Sequence, residues 1–233
     1  MTTGSKFPVK RPRAKSGSTS GRPKFRRRAD ARPDEILDAA LAVFTEKGFD
    51  AARVDDIAMR AGISKGAVYL YFNSKDALLR GLIEREVAPA AHRLRALAEA
   101  GGDDPKSTLT LLVTAATQLL SDPRMFATPK LVLSVAPRFK EIAQFYRERV
   151  IDETIGAIAS LHRRGVENGA FRDIDSDAVA RMVIGPILVH AMRKHVLGAK
   201  DAAPPDLRAK AHLQILLEGD RRMTKRALAA LAR

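Results

Sequence analysis

The stretch Val54–Phe72, VDDIAMRAGISKGAVYLYF, decides how this chain is read. Two short runs with apolar residues at helical spacing meet at Ala61-Gly62-Ile63-Ser64, a junction too tight for an ordinary connector. Ile57, Ala58 and Ala61 share a face in the first run, and Val68 and Phe72 share one in the second. Gly62 supplies the backbone freedom a tight turn needs, and Ser64 is a good N-cap for the second run. This pattern predicts a helix-turn-helix over about 54–73, whose second helix enters the DNA major groove.

Working outward, Pro33 suits a first helical position, with Asp34 and Glu35 at the positive end of the helix dipole. Ile36, Leu37, Ala40, Leu41, Val43 and Phe44 then recur at helical spacing until Gly48. Asn73-Ser74 caps a fourth helix from Lys75 to about Ala98. Beyond the break at Gly101-Gly102-Asp103-Asp104-Pro105, helices are predicted over about 106–121, 124–135, 138–168, 175–197 and 206–231. No stretch alternates at period two beside a hairpin turn, so no sheet is expected. The expected fold is all-α, with a basic arm over 1–31, a helix-turn-helix domain over 32–91 and a larger helical domain over 92–233.

With 233 residues and 45% hydrophobic content, the chain can bury a sizeable core. It has no cysteine, which excludes disulfides, zinc-thiolate sites and thiol catalysis. No apolar run approaches the roughly 18–20 residues that span a bilayer, and the first thirty residues lack the apolar centre of a signal peptide. A soluble, cytoplasmic protein with no membrane partner is the expectation. There is no Ser-His-Asp grouping in recognisable context, no phosphate-cradling glycine loop and no metal-ligand cluster. His190 and His195 are five apart, a spacing that does not place two ligands on one helix face. No catalytic residue, cofactor or metal is therefore expected, and the chain is not read as an enzyme.

The net charge of +14 is concentrated at one end. Residues 1–32 carry eleven Lys and Arg against Asp30 alone, whereas Pro33 to Ala91 hold seven basic and ten acidic residues. A grip on DNA by this domain must rest on a few placed donors, not on bulk charge. The arm is rich in Gly, Ser, Pro, Lys and Arg, too polar to bury surface against the cost of ordering, and is expected to be disordered.

The residues Ile36-Leu37-Asp38-Ala39-Ala40, Phe44, Gly48-Phe49, Val54-Asp55-Asp56-Ile57-Ala58, Ala61 through Gly66, Tyr69, Tyr71-Phe72 and Ser74-Lys75 together resemble the DNA-binding domain of TetR-type regulators. The resemblance covers about sixty residues. It implies a homodimeric repressor with two reading heads on a palindromic operator and a helical core that answers to a small-molecule effector. It also implies that Tyr69, Tyr71 and Lys75 face the DNA backbone, where phenol and ammonium groups suit phosphates. The residues themselves add that Gly66 and Ala67 are short enough for close approach to a groove, and that Lys65 can donate to guanine or to phosphate. With Ser64 these complete the recognition helix. Two positions depart from the family pattern: Arg53 stands where Thr or Ser often caps the second helix, and Tyr71 where His is common. Arg53 cannot cap in that way but could donate to a phosphate.

Two questions stay open at this level. Gly21-Arg22-Pro23-Lys24 resembles half of an AT-hook, which would make Arg22 a minor-groove contact. The alternative is a polycationic tail that adds affinity without reading sequence, and with it a nonspecific nucleoid-type binder. In the C-terminal domain, Phe126, Phe145, Met182 and His190 are candidates for an apolar effector pocket, although aromatic and Met residues at helical spacing also serve as plain core. Pro186 beside Gly185 would kink a helix that either borders a cavity or bends around the core. The last two helices have broad apolar faces, and the resemblance implies that they pair with their symmetry mates.

Overall fold

The structure is a computed structural model that describes residues 24–101, 103–201 and 203–218, with no side-chain detail for 24–31 and 218. Arg22, the arm over 1–23 and the end of the last predicted helix beyond 218 lie outside the described residues. Eleven α-helices are present among the described residues, and no strand, in keeping with the all-α expectation.

Helix α1 (Lys24–Lys47) begins nine residues before Pro33, which corrects both the predicted start and the expected disorder of 24–31. Composition argues for disorder by counting what can be buried. Arg, Lys and Ala are nevertheless good helix formers, and Pro33 removes only the bond to the carbonyl of Ala29. The α1 face carrying Ile36, Leu37, Ala40, Val43 and Phe44 is buried. Helix α2 (Val54–Ala61) ends in a Schellman arrangement: Gly62, at φ +66°, donates to Met59 O, and Ile63 donates to Ala58 O. A Cβ on Gly62 would meet nothing within 4 Å, so the glycine is required by backbone conformation, not by space.

Helix α3 (Lys65–Tyr69) is only five residues long; Ser64 Oγ accepts from Ala67 N–H at 3.1 Å. Helix α4 (Lys75–Leu82) is capped in the same way by Ser74, which accepts from Ala77 N–H at 3.0 Å. It runs through a π-helical turn (Ile83–Val87) into α5 (Ala88–Ala100). Pro89 lacks the N–H that an α register would send to Arg85 O, and the register slips just before it.

Helices α6 (Pro105–Ser121) and α7 (Pro123–Val135) follow as predicted. Next comes one long rod made of α8 (Lys140–Tyr146), a second π turn (Arg147–Ile151) and α9 (Asp152–Glu167). Helices α10 (Ser176–His195) and α11 (Pro205–Glu218) complete the described chain.

Two apolar clusters organise these helices. The first joins the buried faces of α1–α4 to Val87 and Ala91, and also takes in Leu131, Val132 and Val135 of α7, Ile142 of α8 and Val150. Phe49 packs edge-on against Phe139 at 5.1 Å, and Arg85 binds both Asp34 O and Asp38, tying the π turn to α1. The second cluster is built from α6, α9, α10 and α11 around Val113, Leu161, Ala180 and Val183.

Candidate nucleic-acid interface

The helix-turn-helix exposes a compact surface. Val68 is fully buried and anchors α3, and its neighbours Tyr69 and Tyr71 are left 45% and 41% exposed. Ser64, Lys65 and Gly66 are exposed, and Ala67 is half-buried. Leu70 is 84% exposed. The sequence reading did not single it out, although it lies halfway between the inward pair Val68 and Phe72 and so faces away from them.

Gly66 is informative because nothing inside the protein calls for it. Its φ is not positive, and a Cβ there would sit 4.0 Å from Ser64 Oγ, an ordinary contact. Glycine in a helix costs about 0.5–1 kcal/mol relative to alanine. No contact inside the protein accounts for the missing side chain.

The cations of this surface are partly committed to neighbouring acids. Lys65 Nζ lies 2.9 Å from Asp55 Oδ2, and that hydrogen bond raises the ammonium pKa above its usual value. Lys47 pairs with Asp56 at 2.8 Å, and Arg60 with Glu46 at 2.6 Å. Such exposed pairs contribute little and can be exchanged for a phosphate. Arg53 is exposed and has no acidic partner among the described residues. As expected it makes no side-chain cap; instead Asp56 accepts from the Arg53 backbone N–H at 3.2 Å.

Lys75 is committed to the protein's own backbone. Its ammonium donates to Phe49 O at 2.8 Å, Asp50 O at 3.1 Å and Ala52 O at 3.1 Å, and it stands 4.9 Å from the centre of the Phe49 ring. All three N–H donors are used inside the protein. In this conformation Lys75 clamps the loop between α1 and α2 and has no donor left for a phosphate.

A cavity of about 300 Å³ opens between α5, α6, α7, α9 and α10. Among Phe126, Phe145, Met182 and His190, it is Phe126 that lines it. Phe145 packs against the first cluster, with Arg80 4.8 Å above its ring. Met182 is 63% exposed, because α10 is apolar on more than one side and this side faces outward. His190 borders a separate cavity of about 140 Å³ and binds Asp201 at 2.6 Å. Burial pulls the Asp201 carboxyl upward, but hydrogen bonds from Lys194 and His190 and the charge of Arg208 hold it down at about 2. His190 thus belongs to a cluster that fastens the loop after α10. Gly185 borders the larger cavity and Pro186 the smaller one.

The lining of the larger cavity is almost wholly apolar, with Tyr146, Thr154 and Arg181 as its polar members. Thr154 spends its hydroxyl on Val150 O at 2.7 Å. Burial pushes the Tyr146 phenol up to about 12, so it remains a protonated donor. Arg181 was not singled out in the sequence, whereas Gly185 was marked only as the neighbour of Pro186 in a kinked helix that could border a cavity. No group of side chains that could hold a metal ion occurs among the described residues, and no described helix is long and apolar enough to cross a membrane.

Comparison with known proteins agrees with this architecture. Residues 36–82 match the model of bacterial regulatory proteins of the tetR family, and residues 102–204 match a tetracyclin repressor-like C-terminal domain. The chain is 30% identical over 147 residues to the uncharacterised regulator YfiR of Bacillus subtilis, covering 62% of this chain and 70% of that one. It is 29% identical over 193 residues to the transcriptional repressor KstR2 of Rhodococcus jostii, covering 81% and 90%. A 32% identical match to YerO of Bacillus subtilis spans 48% of this chain and only 39% of that protein. The structure of the fatty acid degradation regulator FadR from Bacillus halodurans superimposes with a TM-score of 0.66 at 26% identity, over 82% of this chain and 96% of that one. With its helix-turn-helix, its all-helical core and these matches, the chain belongs to the TetR family of transcriptional regulators.

Proposed function

We propose that this regulator is a ligand-released repressor that holds a two-fold symmetric operator as a homodimer, with α3 of each copy in the major groove. The observation that carries the DNA-reading part is the exposed α3 surface, where Gly66 lacks any internal reason to be glycine and is flanked by Lys65, Ala67 and Tyr69. Lys65 trades Asp55 for a phosphate or a guanine edge, Arg53 and Tyr71 donate to the backbone, and Leu70 meets a thymine methyl.

An apolar face left in water supports the dimer. Met182 and Val189 on α10 and Val196 just past its end are spaced by seven residues, and Leu207 and Ile215 add to them from α11, all exposed. Two such helices meeting their symmetry mates form a four-helix interface. Residues 92–233 would then serve as the regulatory and dimerisation domain, and 32–91 as the reading head. The cavity supports a small apolar effector. Val87, Ala91 and Val150 belong both to its wall and to the apolar cluster of the head, so an occupant that repacks them changes the pose of α4 and hence of α3.

A gel shift on the DNA upstream of its own gene, against random competitor, tests the reading. Lys65→Ala and Tyr69→Ala are expected to lose specific retention while keeping a helical circular dichroism spectrum. Unchanged retention by both variants, or equal affinity for random DNA, refutes it.

A further inference from the structure

From the lining of the large cavity we infer that its occupant is an anionic amphipath: an apolar body of about a dozen carbons ending in one acidic group held by Arg181. This rests on the proposed reading that an effector enters this cavity. The size follows from scaling: a dry cavity of about 150 Å³ takes benzene, and this one is about twice as large.

The polarity follows from what is left over. Among the described residues Arg181 is the one charged side chain on the wall, and no carboxylate lines it. Its nearest acid, Asp175, stands 4.0 Å away and already caps α10 by accepting from Asp177 N–H at 3.0 Å. The guanidinium is therefore weakly held at the edge of a space with few other polar groups, where a charge of opposite sign is attracted more strongly than in bulk water. Tyr146 offers a second, neutral donor, and its hydroxyl has no hydrogen-bond partner among the described residues.

Gly185 makes room for the body of the ligand. It lies in a helix without positive φ, and a Cβ built on it meets nothing within 4 Å. Pro186 follows it, and a glycine relieves the crowding between a proline ring and the preceding Cβ, but no side chain beyond the chain neighbours fills the space, so a larger side chain at 185 reaches into the cavity.

The experiment is calorimetric titration of the full-length protein with dodecanoate, dodecanoyl coenzyme A and dodecanol, with operator release measured separately by gel shift. One or both anions are expected to bind at least tenfold tighter than dodecanol, and the tighter of them tells a free acid from a thioester on a phosphate-bearing carrier. Arg181→Gln, a change at an exposed side chain, is expected to bring acid and alcohol within about twofold while leaving dodecanol unchanged. Gly185→Leu is expected to weaken every ligand tenfold or more with helicity retained.

Equal binding of acid and alcohol, no saturable binding by any of the three, or an acid preference that survives Arg181→Gln overturns the inference. The last of these does not depend on how Gly185→Leu folds. If an acid binds as expected and the operator is never released, the ligand-released reading fails and the assignment of the cavity stands. If only a neutral compound releases the operator from this cavity, the reverse holds.

Discussion

Replacing Lys75 with methionine separates a structural role from a DNA-contacting one. The substitution keeps the length of the side chain and removes three donors from the carbonyls of Phe49, Asp50 and Ala52. A hydrogen bond from a charged group contributes about 1.5–3 kcal/mol. Two of the three acceptors are part-buried and the third is exposed, so water recovers some of the loss, and the net cost is expected to be about 2–3 kcal/mol. With an m-value near 3 kcal/mol/M, the urea midpoint of the free protein falls by roughly 0.7–1 M. A residue that only touched a phosphate would behave in the opposite way. Free stability would not change, and the slope of log affinity against log salt would shrink by about 0.9 for each phosphate no longer neutralised. An unchanged urea midpoint together with a reduced salt slope refutes the clamp.

Three other substitutions probe the remaining assignments. Gly66→Ala is expected to stabilise the free protein by about 0.5 kcal/mol and to weaken operator binding at least tenfold; full affinity in a footprint would show that the backbone makes no close approach there. Asp201 is held at about 2 against an ordinary 3.8, so its contribution to stability is present above pH 4 and is lost as pH falls through 2. Asp201→Asn should therefore lower the urea midpoint at pH 7, with the gap to the parent narrowing as pH falls from 4 through 2; a gap unchanged between pH 7 and 2 refutes the assignment. Val189→Lys is expected to give monomers in sedimentation velocity by placing two charges across the two-fold axis, and a dimer that survives at micromolar protein counts against the α10 face.

Much of the reading head was legible because its determinants are local. Gly62 and Ser64 act on amides within three residues, and the pairing of Val68 with Phe72 follows from one helical turn. The bonds of Lys75 were not legible because its partners lie 23–26 residues earlier, brought close by the packing of α4 against the loop after α1. The π turns left no local mark except Pro89 after the first of them. Their bonds slip by one residue without changing the apolar periodicity by enough to be noticed.

The helix-turn-helix, the order of the helices and the absence of thiol chemistry were all readable from the residues alone, because caps, glycines and apolar spacing act within a turn of the chain. Which face of α10 looks inward was set by packing across the fold. That helix is apolar on several sides, and its rotation depends on what the neighbouring helices leave open. This rotation put Met182 in solvent, Arg181 on the rim of the cavity and Gly185 on its wall, and so made a charged residue and a glycine the informative members of the site.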